Sequence, residues 1–229
     1  MSVETKKGTV EIAIVGAGGI GSSLFCALVP ALHRGGLVES LGRVRVRIQD
    51  SDTVDADNLA HQRFLPEDVG GTKVAAICRA MAPFQSERLQ LEPRPTDVRG
   101  PEDLGKADVV VVAVDSPLAR GVVHASADRW LDLRCTGDGY ISIDHRVDGE
   151  TVSGLDGDQS PRSCQIDGAI LSGNIQFGYL AAAAHGAQWV LQTLRMIVDE
   201  DGAMQPYPQS ASISFGTLGR LDLYEEGQE

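Results

Sequence analysis

The segment Gly16-Ala17-Gly18-Gly19-Ile20-Gly21-Ser22 constrains the fold more than any other stretch of the chain. It follows a run rich in β-branched residues, TVEIAIV at 9–15, and opens an apolar stretch at 20–34 that halts at Gly35-Gly36. Strand, glycine turn and helix in that order are the first half of a βαβ unit, so a parallel sheet is expected. The glycines make the turn and let backbone N–H groups approach an anion at the positive end of the helix. A GxGxxG alone points to a nucleotide or dinucleotide, and a bare structural turn also satisfies it.

The rest of the chain continues the alternation. Strands are expected at 44–50, 89–92, 107–115, 131–135, 139–147 and 213–215. Helices are expected at 20–34, with Pro30 kinking or shortening the first, at 72–82, at 116–129, and as one helix or two at 174–198. The polar stretch 148–163, rich in Gly, Asp and Ser, reads as a loop, and the last residues, YEEGQE, as a frayed tail. The fold class is therefore α/β: a Rossmann-like, open, mostly parallel sheet with helices on both faces. Residues 1–229 read as one domain, with a nucleotide-binding core at about 9–145 and a crossover loop with C-terminal elements at about 146–229. Such a sheet binds ligands beyond the carboxyl ends of its strands, near the point where strand order reverses.

Charge narrows the partners. Lys plus Arg number 20 against 32 Asp plus Glu, a net −12, which argues against nucleic acid and anionic membranes as partners. The longest apolar runs fall far short of the roughly 20 residues of a membrane span, and the first residues lack the apolar core of a signal peptide. A cytoplasmic protein is expected. Cys26, Cys78, Cys135 and Cys164 form no CxxC, so no structural zinc is expected. Cys26 and Cys78 fall in apolar helical patterns and read as core, and Cys135, at a strand end, reads as packing.

Asp50 closes the second strand, where a carboxylate accepts hydrogen bonds from ribose hydroxyls. To this point an NAD-linked dehydrogenase fits equally well. The run that follows is Asp50-Ser-Asp52-Thr-Val54, then Asn58-Leu59-Ala60-His61-Gln62-Arg63, then Gly70-Gly71-Thr72-Lys73 opening a helix, and finally Asp115 with Arg120 after the fourth strand. In order and spacing this resembles the ThiF/MoeB family, the adenylating proteins related to ubiquitin-activating enzymes.

The resemblance implies roles. Gly16, Gly18, Gly19 and Gly21 would cradle the phosphates of ATP, and Asp50, with Asp52 beside it, would hold the ribose. Asn58, His61 and Gln62 would line the phosphate or substrate carboxylate, Lys73 would bring positive charge, and Asp115 would bind Mg²⁺. The reaction implied is attack of a carboxylate on the α-phosphate, giving an acyl-adenylate and pyrophosphate. It requires positioning and cations more than covalent help. The implied partner is the C-terminus of a ubiquitin-like or sulfur-carrier protein or of a peptide, and the implied assembly is a homodimer or a dimer with a homologue.

The chain departs from the family pattern. His61 stands where an arginine is usual, and Arg63, two residues on, is the candidate replacement. The zinc knuckles of many relatives are absent, with Pro161 and Cys164 where the first pair would fall. Ahead of the first strand stand Lys6 and Lys7 but no arginine that could reach a partner's site. Cys164, two residues from Arg162, is a candidate for a covalent thioester or persulfide role. Two further readings stay open at this stage: a non-catalytic binding or regulatory subunit with an attenuated site, and an NAD(P)-linked oxidoreductase.

Overall fold

Alternate residues of the central strands enter opposite layers. In β1 (Thr9–Val15), Ile12 and Ile14 face one layer while Ala13 and Val15 face the other. In β4 (Val109–Val112), Val109 and Val111 join the first layer, Val110 and Val112 the second. All four β4 residues are buried, as a strand covered on both faces must be. The computed structural model describes residues 8–155, 164–199, 203, 206 and 210–214.

The seven strands run in the order β3-β2-β1-β4-β5-β6-β7, with β2 at Arg43–Gln49, β3 at Leu89–Arg94, β5 at Trp130–Thr136, β6 at Gly139–Asp144 and β7 at Ser210–Ser214. β1 to β5 pair in parallel, and β6 and β7 are added antiparallel. The first layer holds α1 (Gly19–Arg34), α2 (Leu37–Leu41), α3 (Lys73–Met81) and, late in the chain, a helix at Gly178–Ile197. The second holds α4 (Pro101–Leu104) and α5 (Pro117–Ser126). The α/β class and the helices on both faces are as the sequence indicates.

Four of the departures from expectation have a clear local reason. Pro30 does not end α1. A proline inside a helix costs about 3 kcal/mol, but Leu24, Phe25, Leu28, Val29 and Leu32 are fully buried, and each burial is worth roughly 1.5–3 kcal/mol. Part of the expected loop at 148–163 is a helix, α6 (Gly149–Leu155). Asp148 caps it, accepting from the Thr151 amide at 2.8 Å and hydroxyl at 2.9 Å. Residues 156–163, including Pro161 and Arg162, lie outside the described residues, as do Lys6, Lys7, Phe215 and the tail. The expected strand at 107–115 narrows to β4 because Val114 and Asp115 leave the ladder toward Ser116, the N-cap of α5.

The fourth difference concerns 174–198. A short helix, α7 (Ala169–Ser172), precedes α8 (Gly178–Ile197), and residues 174–177 between them are not helical. Gln165 and Gln176 hold that stretch open: Gln165 donates to the Gln176 carbonyl at 2.8 Å and accepts from its amide at 2.9 Å. α8 then lies along α1, and its Trp189 donates to the fully buried Asp144 at 2.9 Å, fastening the helix to β6.

Candidate active site

β1 and β4 are neighbours, but the chain leaves β1 into α1 on one face and β4 into α5 on the other. That divergence opens a crevice at the carboxyl ends of the strands. A cavity of about 430 Å³ occupies it, lined by the glycine turn, the end of β2, the start of α3, residues 97–99, residues 113–116 and 118–120, and the end of β5.

The glycines divide the work. Gly16 has φ +103°, and a Cβ there would sit 2.6 Å from the Ala113 carbonyl. A Cβ on Gly21 would sit 1.9 Å from the Gly16 carbonyl. Those two make the turn and let α1 pack against it. A Cβ on Gly18 would meet nothing within 4 Å, and Gly18 lines the cavity. It is the glycine whose bare backbone is open to a ligand at the N-terminus of α1. Gly19 also lines the cavity, against Tyr179.

Asp50 stands at the end of β2 and accepts from the Ala17 amide at 2.6 Å and the Asp52 amide at 2.8 Å. Burial pushes its carboxyl above the usual range, and the two amide bonds pull against that shift. Lys73 is buried as the first residue of α3, and its Nζ lies 2.8 Å from Asp52 Oδ2. The Lys73 amide also donates to the Asp52 carbonyl at 2.9 Å, which joins α3 to the segment after β2.

The Asn58–Arg63 stretch is placed unevenly. Asn58 accepts from the Asp55 amide at 3.0 Å, closes a 3-10 turn, and lines a shallow neighbouring pocket rather than the main cavity. His61 and Gln62 line both. His61 is buried edge-on against Tyr179, and that burial pushes its pKa below the usual histidine value. Near neutral pH it is uncharged. Gln62 Oε1 is buried without a hydrogen-bond partner, an orphaned acceptor of the kind a ligand donor or water satisfies. Arg63 is exposed and outside the cavity lining, with its charge acting on Cys26 and Tyr179.

Asp115 lines the cavity with its carboxylate exposed. Capping of α5 falls to Ser116, which accepts from the Ala119 amide at 3.3 Å, so Asp115 is left for the cavity. Among the described residues no group of three or more His, Cys, Asp or Glu side chains could hold a metal. One carboxylate fits a hard cation when phosphate oxygens complete its shell.

The wall formed by β5 was less legible in sequence. Asp132 is fully buried and gathers three basic side chains: Arg134 at 2.8 Å, His124 at 3.2 Å and Arg120 at 3.7 Å. Burial alone would raise its pKa, but the close approach of His124, the hydrogen bonds from Arg134 and the charges of both arginines hold it below the usual carboxylate range. Arg120 and Arg134 line the cavity, as does Arg99 from the segment after β3. A loop at the carboxyl end of a parallel strand is a standing signal for such a residue, and Arg99 had that signal. Cys164 lines the cavity, and Cys135, expected as packing, lines it too. Cys78 is buried, whereas Cys26 is only half-buried.

The ThiF family model matches residues 5–193, and the chain belongs to the ThiF family. No curated protein matches it in sequence. Among solved structures, PaaA superposes with a TM-score of 0.62 at 18% identity, covering 90% of this chain and 61% of PaaA. Escherichia coli MccB with ATP gives 0.58 at 18% identity, covering 90% and 60%. MccB with MccA-N7isoASN gives 0.60 at 17% identity, covering 93% and 65%. These likenesses concern the fold, and the chain spans about three fifths of the length of those proteins. Among the described residues no helix is long and apolar enough to cross a membrane.

Proposed function

We propose that this chain is an ATP-dependent adenylyltransferase that activates the C-terminal carboxylate of a peptide or of a small ubiquitin-like or sulfur-carrier protein. One observation carries the reading: Gly18, Asp50, Lys73 and Asp115, far apart in sequence, converge on one cavity at the reversal of strand order. The ATP-bound and MccA-bound MccB structures share the fold and support the substrate class.

In this reading Gly18 and the N-terminus of α1 receive phosphate, and Asp50 receives the ribose hydroxyls. Val98, Val114 and Leu118 give apolar surface to a planar base. Asp115 would hold Mg²⁺ jointly with phosphate oxygens, and the ion would offset the negative charge that repels an incoming carboxylate. A substrate carboxylate oxygen attacks the α-phosphorus, the bond to the bridging oxygen breaks, and pyrophosphate leaves. Lys73 turns from Asp52 toward that charge, and Gln62 Oε1 accepts a donor from the substrate chain. Arg63 would join only after a rearrangement of its loop. Cys164 would receive the acyl group afterwards. Residues 1–229 act as one adenylation domain, in the cytoplasm, as a homodimer or beside a homologue.

A specific observation keeps a second reading in play. Lys73 is already neutralised by Asp52, and His61 is uncharged, so a binding subunit without turnover also fits. ATP–pyrophosphate exchange with Mg²⁺ and candidate carriers separates the two. Exchange that needs a carrier and is lost in Asp115→Ala supports adenylation. ATP binding with no exchange for any carrier supports the binding subunit, and no ATP binding overturns both.

A further inference from the structure

The adenylation reading uses Cys164 alone, yet the cavity wall holds two neighbouring cysteines. Cys135 lies near the end of β5, and Cys164 is 29 positions further along. The Cys164 carbonyl accepts from the Gly137 amide at 2.9 Å, which fastens that backbone to the turn between β5 and β6. Cys135 Sγ lies 3.7 Å from the Gly137 carbonyl oxygen and 4.0 Å from that of Cys164. The Cys135 thiol thus lies against the backbone of Cys164. Both are half-buried, unbridged, and open to the cavity. With the Cys135 thiol against the Cys164 backbone, and that backbone tied to the turn after β5, the two cysteines share one stretch of the cavity wall.

We propose that Cys135 and Cys164 form an oxidisable dithiol site whose reactant is a hydroperoxide. The pair is asymmetric. The neighbouring Cys135 and the charge of Arg120 lower the Cys164 thiol, against burial and Asp115. The Cys135 thiol faces the carbonyl oxygens of Gly137 and Cys164, which hold its proton, and its cysteine neighbour and burial raise it. Cys164 is thus the attacking sulfur. Its thiolate attacks the terminal peroxide oxygen, the O–O bond breaks, and the departing oxygen leaves as water or an alcohol after taking up a proton. Cys164 is then a sulfenic acid. Cys135 sulfur attacks it, the S–O bond breaks, and the hydroxyl leaves as water with the Cys135 proton. Two thiols are oxidised to one disulfide, and one peroxide is reduced. Where Cys164 receives an acyl group, the bridged form cannot accept it. The site itself does not depend on that role, because its readout is covalent.

The test is peroxide treatment of the full chain, alkylation under denaturing non-reducing conditions, and peptide mass spectrometry. The expected product is one intrachain peptide pair joining Cys135 to Cys164, reversed by dithiothreitol. Cys26 and Cys78 should stay alkylatable, since burial raises both thiols, Cys78 to about 12. In Cys135→Ser the expected product is a Cys164 sulfenic acid trapped by dimedone. Full alkylation of both cysteines under peroxide that consumes free cysteine in the same tube would overturn the proposal. So would sulfinic acid at Cys164 of the wild type with no cross-link, or a bridge formed only between chains.

Discussion

Lys73 Nζ lies 2.8 Å from Asp52 Oδ2, and the two partners are unequally wet: the Lys73 side chain keeps 9% of its exposure and that of Asp52 64%. Removing one partner is therefore not equivalent to removing the other. In Lys73→Met the apolar stem stays packed and water solvates the freed carboxylate, so stability should change by less than about 1 kcal/mol. In Asp52→Ala a buried ammonium loses its partner, which should cost about 1–3 kcal/mol. Urea titrations of the two variants should show that order. Pyrophosphate exchange should fall by about 10²–10³ in Lys73→Met, the usual loss when one preorganised positive group is removed. Equal destabilisation by both variants would mean that the ion pair is not formed in solution.

The glycines give a second contrast. Gly21→Ala places a Cβ 1.9 Å from the Gly16 carbonyl, and such overpacking costs about 1–3 kcal/mol. Gly18→Ala meets no atom within 4 Å and should leave the melting temperature unchanged. It should nevertheless weaken ATP binding by calorimetry, because the methyl occupies the surface where phosphate approaches. A Gly18→Ala protein with normal ATP affinity would remove that turn from the site.

Asp50 should trade stability for binding. Its folded pKa is raised by burial above the unfolded value. A raised carboxyl favours folding below the unfolded pKa, and that contribution is lost as pH rises through the folded pKa. The ionised carboxylate is thus a cost at pH 7. Asp50→Asn keeps one acceptor, and its stability at pH 7 should lie within about 1 kcal/mol of wild type. ATP affinity should drop about tenfold or more, as for a lost charge-assisted hydrogen bond. A large loss of stability at pH 7 would contradict the raised pKa.

Asp132 should behave in the opposite sense. Its folded pKa is held below the unfolded value. Its contribution is present above the unfolded pKa, about 4, and is lost as pH falls through the lower folded one. Asp132→Asn leaves Arg120 and Arg134 facing a neutral group in a fully buried place, a change that costs about 3–5 kcal/mol. Urea titrations at pH 7 and pH 3 should show the gap between wild type and variant shrinking at the lower pH. A gap that stays constant would mean that Asp132 is not the titrating group.

The sequence by itself determined what neighbours along the chain encode. The β-branched run, the glycine turn and the apolar helix at 9–34 fix a βαβ start, because turn geometry, cap and periodicity act within a few residues. The order of motifs from Gly16 to Asp115 was enough to resemble the ThiF family, to which the chain belongs. The helix Gly149–Leu155 escaped because a Gly-, Asp- and Ser-rich stretch has no apolar period, and only the Asp148 cap marks it. Pairings across long separations were decided by the tertiary structure alone. Lys73 with Asp52, Arg120 and His124 with Asp132, Cys135 with Cys164, and Arg63 outside the cavity all depend on which strand lies beside which. A side chain's charge state and partner follow from burial and from atoms brought within a few ångströms by the sheet, and neither is a property of the residues next to it in sequence.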